Sequence, residues 1–174
     1  HHFAKNPEKV AILNGVSKSF AMTGWRLGYA MAPAAIMHEM IKIHQYCIMS
    51  SPTISQYAAV YAMTDGDAET QMMRQAYDRR RKYLMRRFSD MDIPCFEPKG
   101  AFYIFPNIQE FGMTSEEFAL ELLQRKKVAV VPGSAFGCCG EGFLRISYAY
   151  SLDDLRVAFD RIEEFIRELR KEKA

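Results

Sequence analysis

The chain has 174 residues, 49% of them hydrophobic, which is length enough for a sizeable buried core. Lys plus Arg number 23 against 21 Asp plus Glu, and the formal net charge of +2 points to no polyanionic partner. No apolar run of about 18 residues occurs, so no membrane-spanning helix is expected; no secretory leader is recognised, and the chain does not begin with Met.

Residues His1 to Glu8 (HHFAKNPE) are polar and turn-like, and His1 and His2 fit a tag remnant or native sequence alike. Val10 to Leu13 reads as a short buried strand. It leads into Gly15-Val16-Ser17-Lys18-Ser19-Phe20-Ala21-Met22-Thr23-Gly24-Trp25-Arg26-Leu27-Gly28. Lys18 stands between small residues that leave room beside its amine. A lysine suits imine chemistry because desolvation or a neighbouring cation readily lowers its pKa. Arg26 is flanked by Gly24 and Gly28, where backbone can approach a bulky ligand. Its planar fork donates in pairs and suits a phosphate. Together they describe an aldehyde cofactor bearing a phosphate, of which pyridoxal phosphate is the common one. Taken singly, Lys18 fits a buried-stem lysine in a turn, and Arg26 a surface arginine.

Leu27 to Ala32 reads as a second strand, closed by Pro33. From Ala34 to Met49, Ile36, Met37, Met40 and Ile43 recur at helical spacing. Ser51 and Pro52 predict the next helix start, as N-cap and first helical residue, with a stop near Gly66. Asp67 opens a long polar helix reaching about Met91, halted before Pro94. It carries Arg74, Arg79, Arg80, Arg81, Lys82, Arg86 and Arg87, a run that could suggest nucleic acid. Its aromatic residues are not interleaved as a stacking platform, and Asp78 can pair with Lys82, so a solvated helix face is the better reading.

The remainder predicts an α/β unit. Gly100 to Pro106 gives a strand, Thr114 with Glu117 a capping box, and Val128 to Val131 a short buried strand. Phe143 to Ala149 (FLRISYA) is a strand with Leu144, Ile146 and Tyr148 on one face and Arg145 and Ser147 on the other. Ser151 and Asp154 cap a final helix with the apolar stripe Leu155, Ala158, Phe159, Ile162, Phe165, Ile166 and Leu169. A lone arginine in an apolar strand is costly to bury without an anion, so Arg145 fits either a structural salt bridge or a ligand contact. Cys47, Cys95, Cys138 and Cys139 contain no C-x-x-C pair and read as reduced thiols. Adjacent Cys138 and Cys139 could be redox-active; with no histidine near in sequence they do not suggest a metal site.

The stretch Gly-Val-Ser-Lys-x-x-Ala-Met-x-Gly-x-Arg-Leu-Gly resembles the pyridoxal-phosphate lysine signature of class I aminotransferases, and Ala-Met-Thr-Gly-Trp-Arg-Leu-Gly-Tyr is closest to bacterial aspartate aminotransferase-like members. The resemblance implies an α/β fold, the C-terminal part of a fold type I transferase. Residues 1–66 would end the large cofactor domain, 67–92 form the long interdomain helix, and 93–174 the small domain. It implies Lys18 as the Schiff-base lysine, Arg26 as phosphate ligand and Arg145 as the grip on the substrate α-carboxylate. Some aspartate aminotransferases carry a serine three positions before the lysine; here that position is Gly15, and Ser17 is the remaining hydroxyl for the cofactor. The implied activity moves an amino group between an L-amino acid, aspartate or a similar one, and a 2-oxo acid, in a cytoplasmic homodimer. The helix start at Ser51 to Thr53 would lie near the dimer interface. A C–S lyase, or the effector domain of a transcription regulator, would use the same lysine motif.

Overall fold

The computed structural model describes residues 7–173, so the turn expected before Pro7 lies outside the described residues. The chain divides into two units, at Met73 and Arg74.

In the first unit, β1 (Ile12–Gly15) and β2 (Gly28–Met31) pair antiparallel, from Ile12 opposite Met31 to Gly15 opposite Gly28. The first strand starts two residues later than predicted and is not buried: Leu13 is 73% exposed. A two-stranded ribbon gives each strand one partner and covers neither face. The connection between the strands holds α1 (Val16–Ser19) and a 3-10 turn at Thr23–Trp25. Next come α2 (Ala34–Cys47), with no buried residue, and α3 (Thr53–Asp65), which ends at Gly66.

Pro52, not Ser51, is the N-cap of α3. Its extended backbone (φ −54°, ψ 131°) places its carbonyl to accept from the N–H groups of Ser55 and Gln56, so the helical bonds begin there. The Ser51 carbonyl accepts from Gln56 Nε2 at 2.9 Å instead. The core of this unit is small: Val16, Met22 and Ala59, with Phe20, Leu27 and Tyr29 against them. Meanwhile Ile43, Tyr46, Ile54, Tyr57 and Tyr61 stand exposed, a heavy apolar load for a surface. The division between the units falls within α4 (Asp67–Asp90).

The second unit has a three-stranded antiparallel sheet in the order β3 (Tyr103–Ile104), β5 (Leu144–Ser147), β4 (Val131–Pro132). Both outer strands are shorter than predicted. Beyond Ile104 the ladder gives way to isolated bridges, Cys95 with Pro106 and Asn107 with Phe143, because Pro106 has no N–H to donate. Of Val128 to Val131, Val131 alone joins the ladder. Leu144, Ile146 and Tyr148 are buried while Arg145 and Ser147 on the opposite face are half-buried.

Helix α5 (Ser115–Lys126) starts on a complete capping box: Thr114 Oγ1 accepts from the Glu117 N–H at 3.2 Å, and Glu117 Oε2 accepts from the Thr114 N–H at 2.9 Å. Helix α6 (Leu152–Glu172) starts on Ser151, whose Oγ accepts from the Asp154 N–H at 3.1 Å. Its stripe from Leu155 to Leu169 is buried apart from half-buried Ala158, with Phe165 edge-on to Phe118 at 5.1 Å and Phe159 edge-on to Phe88 at 5.0 Å. Each fully buried side chain of this kind contributes about 1.5–3 kcal/mol. Arg87 on α4 ties the same helix down by ion pairs to Asp160 and Glu163 at 2.8 and 3.0 Å. Of the basic residues of α4, Arg74, Arg79, Lys82 and Arg86 are exposed, with Lys82 paired to Asp78 at 2.8 Å. Arg81 and Arg87 are mostly covered and pair beyond the helix, so the solvated face expected from the sequence holds for part of the run.

Candidate active site

Antiparallel pairing of β1 and β2 fixes the two ends of the Val16–Leu27 connection side by side, and the Val16 N–H donates to the Leu27 carbonyl at 3.4 Å. Ser17 and Lys18 sit on α1, and Arg26 ends the 3-10 turn. Three of the predicted site residues thus share one short connection. Lys18 and Arg26 are exposed and Ser17 is half-buried. Ala21 and Arg26 both adopt left-handed backbone, with φ of 54° and 53°. Such conformations cost about 1–3 kcal/mol for residues with a side chain and cluster where a site demands them.

One hydrogen bond that no sequence pattern announces holds this turn. The Ser55 hydroxyl, buried in α3, donates to the Trp25 carbonyl at 2.8 Å, fixing the backbone one residue before Arg26. The Arg26 guanidinium donates through Nη1 to the Thr23 carbonyl at 3.2 Å, and among the described residues no carboxylate pairs with it. A Cβ on Gly24 would meet no atom within 4 Å, so internal packing does not demand glycine there. An exposed amine, a planar cation without an internal anion and open backbone between them fit a phosphate-bearing aldehyde.

Arg145 lies in the second unit. Its guanidinium carbon sits 4.4 Å from the Tyr103 ring centre and 4.6 Å from that of Phe136. Among the described residues no carboxylate forms an ion pair with it. Both rings lie within cation–π distance of the guanidinium, and a cation held this way keeps N–H donors for a planar anion. Tyr103, Arg145 and Ser147 line a cavity of about 530 Å³ with Tyr150 and Asp154. A larger one, about 670 Å³, lies elsewhere, with Arg81 in its wall paired to Asp78 and Glu97. Phe136 was not singled out in the sequence. The one available signal was an aromatic residue inside the glycine-rich run Gly133-Ser134-Ala135-Phe136-Gly137. Among the described residues no three His, Cys, Asp or Glu side chains gather to hold a metal ion.

The family model for aminotransferase class I and II matches residues 1–162. The chain belongs to that family. It is 49% identical to an aspartate aminotransferase of Pyrococcus abyssi, over 92% of this chain and 42% of that protein. A putative aminotransferase of Bacillus subtilis, YugH, is 46% identical over 91% of this chain and 41% of its own length. Among solved structures, the aromatic aminotransferase of Pyrococcus horikoshii superposes with a TM-score of 0.89 at 46% identity, covering 94% of this chain and 44% of that one. The α/β fold is therefore that of the fold type I aminotransferases, and the chain spans about two-fifths of the length of the relatives it matches.

Proposed function

We propose that this chain is the C-terminal part of a pyridoxal-phosphate-dependent aminotransferase. The whole protein would move an amino group between an L-amino acid, aspartate or a similar one, and a 2-oxo acid in a ping-pong cycle. The observation that carries this reading is the gathering of Lys18 and Arg26 in the Val16–Leu27 connection of a chain from this family. The name of the Pyrococcus abyssi relative favours aspartate. Residues 1–66 then close the large domain, 67–92 join the domains and 93–174 form the small one.

Each residue has a role that its setting suits. Lys18 would hold the cofactor at its aldehyde and Arg26 at its phosphate, with guanidinium donors that no carboxylate occupies among the described residues. Ser17 stands beside the lysine as a further hydroxyl donor. When bound, pyridoxal phosphate supplies a ring that takes up the electron pair left at the substrate Cα. Lys18 Nζ takes the Cα proton and gives it back as general base and acid. Arg145 grips the α-carboxylate in a bidentate pair and so sets the direction of the Cα–H bond. The exposed apolar side chains of α2 and α3 support a homodimer, and four cysteines without a disulfide support a cytoplasmic location.

Initial rates of the full-length protein, measured with aspartate and 2-oxoglutarate varied together, test the activity. Parallel double-reciprocal lines, with oxaloacetate and glutamate formed in equal amounts, are expected. Release of ammonia and pyruvate from a cysteine S-conjugate, without amino transfer to any 2-oxo acid, would make the protein a lyase.

A further inference from the structure

The loop that carries Phe136 also holds two adjacent thiols. Cys138 and Cys139 occupy a 3-10 turn at Cys138–Gly140, both exposed, with their Sγ atoms 4.0 Å apart. The other cysteines lack this combination. Cys47 stands alone at the end of α2, and Cys95 is half-buried, its thiol pushed up to about 11 by burial.

The two sides of the pair are held differently. On the far side, Gly140 is pressed against Gly133: a Cβ on Gly133 would lie 1.9 Å from the Gly140 carbonyl oxygen. The Gly133 N–H also donates to the Phe143 carbonyl at 2.8 Å, which anchors that crossing to the start of β5. On the near side stands Gly137, with φ of 100°, a conformation that side chains rarely adopt. A change forced on the Cys138–Cys139 backbone is passed through Gly137, whose carbonyl accepts from the Gly140 N–H at 3.0 Å and whose N–H donates to the Ser134 carbonyl at 3.1 Å, in the turn that carries Phe136. The next residue is Phe136, whose ring centre lies 4.6 Å from the Arg145 guanidinium carbon.

We propose that Cys138 and Cys139 form a dithiol site that reacts with small-molecule disulfides to close a vicinal disulfide, and that closure withdraws Phe136 from Arg145. The thiolate of one cysteine attacks a sulfur of the small disulfide and expels one thiolate, which takes up a proton. The second cysteine, deprotonated in turn, attacks the protein sulfur of the mixed disulfide and expels the other. Two protein thiols are oxidised, and one disulfide is reduced to two thiols. Neighbouring Cα atoms lie about 3.8 Å apart, short of the ~4.4–6.8 Å usual across a disulfide, so closure must distort the turn. A strained, exposed disulfide is also readily reduced, which makes the change reversible. The consequence for substrate rests on Arg145 being the carboxylate ligand.

The test uses the full-length protein carrying Cys47→Ser, treated with oxidised glutathione and then with dithiothreitol. Trypsin cutting after Lys127 and Arg145 leaves both thiols on one peptide, Val128–Arg145. That peptide should lose two hydrogens and carry no glutathione. The Nε–H proton of Arg145, assigned by its loss in Arg145→Lys, belongs to a guanidinium whose carbon is 4.4 and 4.6 Å from two ring centres and should move on oxidation. KM for the amino acid should rise about two- to fivefold, the worth of one exposed cation–π contact, and recover on reduction. Cys138→Ser/Cys139→Ser should show none of these changes. A peptide that remains dithiol, or stops at the glutathione adduct, overturns the proposal. So does ring closure with the Arg145 resonance unmoved. Ring closure that moves the resonance and leaves KM unchanged supports the coupled dithiol and contradicts the carboxylate role of Arg145.

Discussion

The hydroxyl of Ser55 donates to the carbonyl of Trp25 at 2.8 Å, and Ser55 is 3% exposed. This bond fastens α3 to the left-handed turn that presents Arg26. Ser55→Ala leaves the Trp25 carbonyl short of the donor that the buried hydroxyl supplies. The variant should lose about 1–3 kcal/mol of stability in denaturant unfolding. The full-length variant should also release cofactor faster on dialysis, because Arg26 is no longer held. Unchanged stability would mean that the bond does not fix the turn.

Arg145 offers a sharper contrast. Arg145→Ala in the full-length protein should raise KM for the amino acid tenfold or more, the equivalent of about 1.5–3 kcal/mol for a charge-assisted bidentate contact. Arg145→Lys keeps the charge and loses both the fork and the stacking on Tyr103 and Phe136, so KM should stay high. Cofactor absorbance should be unaffected in both. Recovery of KM in the lysine variant would reduce the role of Arg145 to charge alone.

Acid should loosen the second unit in a defined window. Glu141 is held below the usual carboxylate range by the N–H groups of Ser115 and Gly142 and by the Ser115 hydroxyl. Glu117 is lowered by the Thr114 N–H and then by its hydroxyl. Both pKa values fall on folding, so the stability they contribute is complete above the unfolded value, about 4.3. It is lost as pH drops through that value toward the folded ones. Unfolding curves from pH 7 to pH 2.5 should show this fall, and Glu141→Gln should be weaker at pH 7 with a shallower acid limb. An identical acid limb in the variant would remove Glu141 from the account.

Local signals that act within a few residues were readable in the sequence. The capping box at Thr114 and Glu117, the Ser151 cap and the stripe of α6 are satisfied inside their own segments, and each stands where the pattern puts it. The Lys18 turn was readable for the same reason, since the hairpin that closes on it spans few residues. Burial of the first strand was not, because apolar residues at Val10 to Leu13 say that cover is wanted without saying what supplies it. Pro52 displaced Ser51 as a cap through its backbone, a choice that cap propensities leave open. Ser55 with Trp25 and Phe136 with Arg145 are contacts between segments distant in sequence, and neither member of the first pair carries a spacing signal.

The 174-residue chain by itself should be catalytically silent. Its first unit has a small core and leaves Leu13, Tyr46 and Tyr57 largely in water, at 73%, 95% and 75% exposure. Such a surface favours self-association. Sedimentation velocity should show mass rising with concentration, and a mixture with pyridoxal phosphate, aspartate and 2-oxoglutarate should give no turnover. A monodisperse monomer with saturable activity would show that these residues suffice alone.

The most direct test of the central claim is to trap the cofactor. The full-length protein is reduced with borohydride in the presence of pyridoxal phosphate, digested, and the modified peptide sequenced by mass spectrometry. The pyridoxyl group should be found on Lys18, and Lys18→Ala should take no label there and transfer no amino group. Label recovered on any other lysine, with Lys18→Ala still active, would contradict the account.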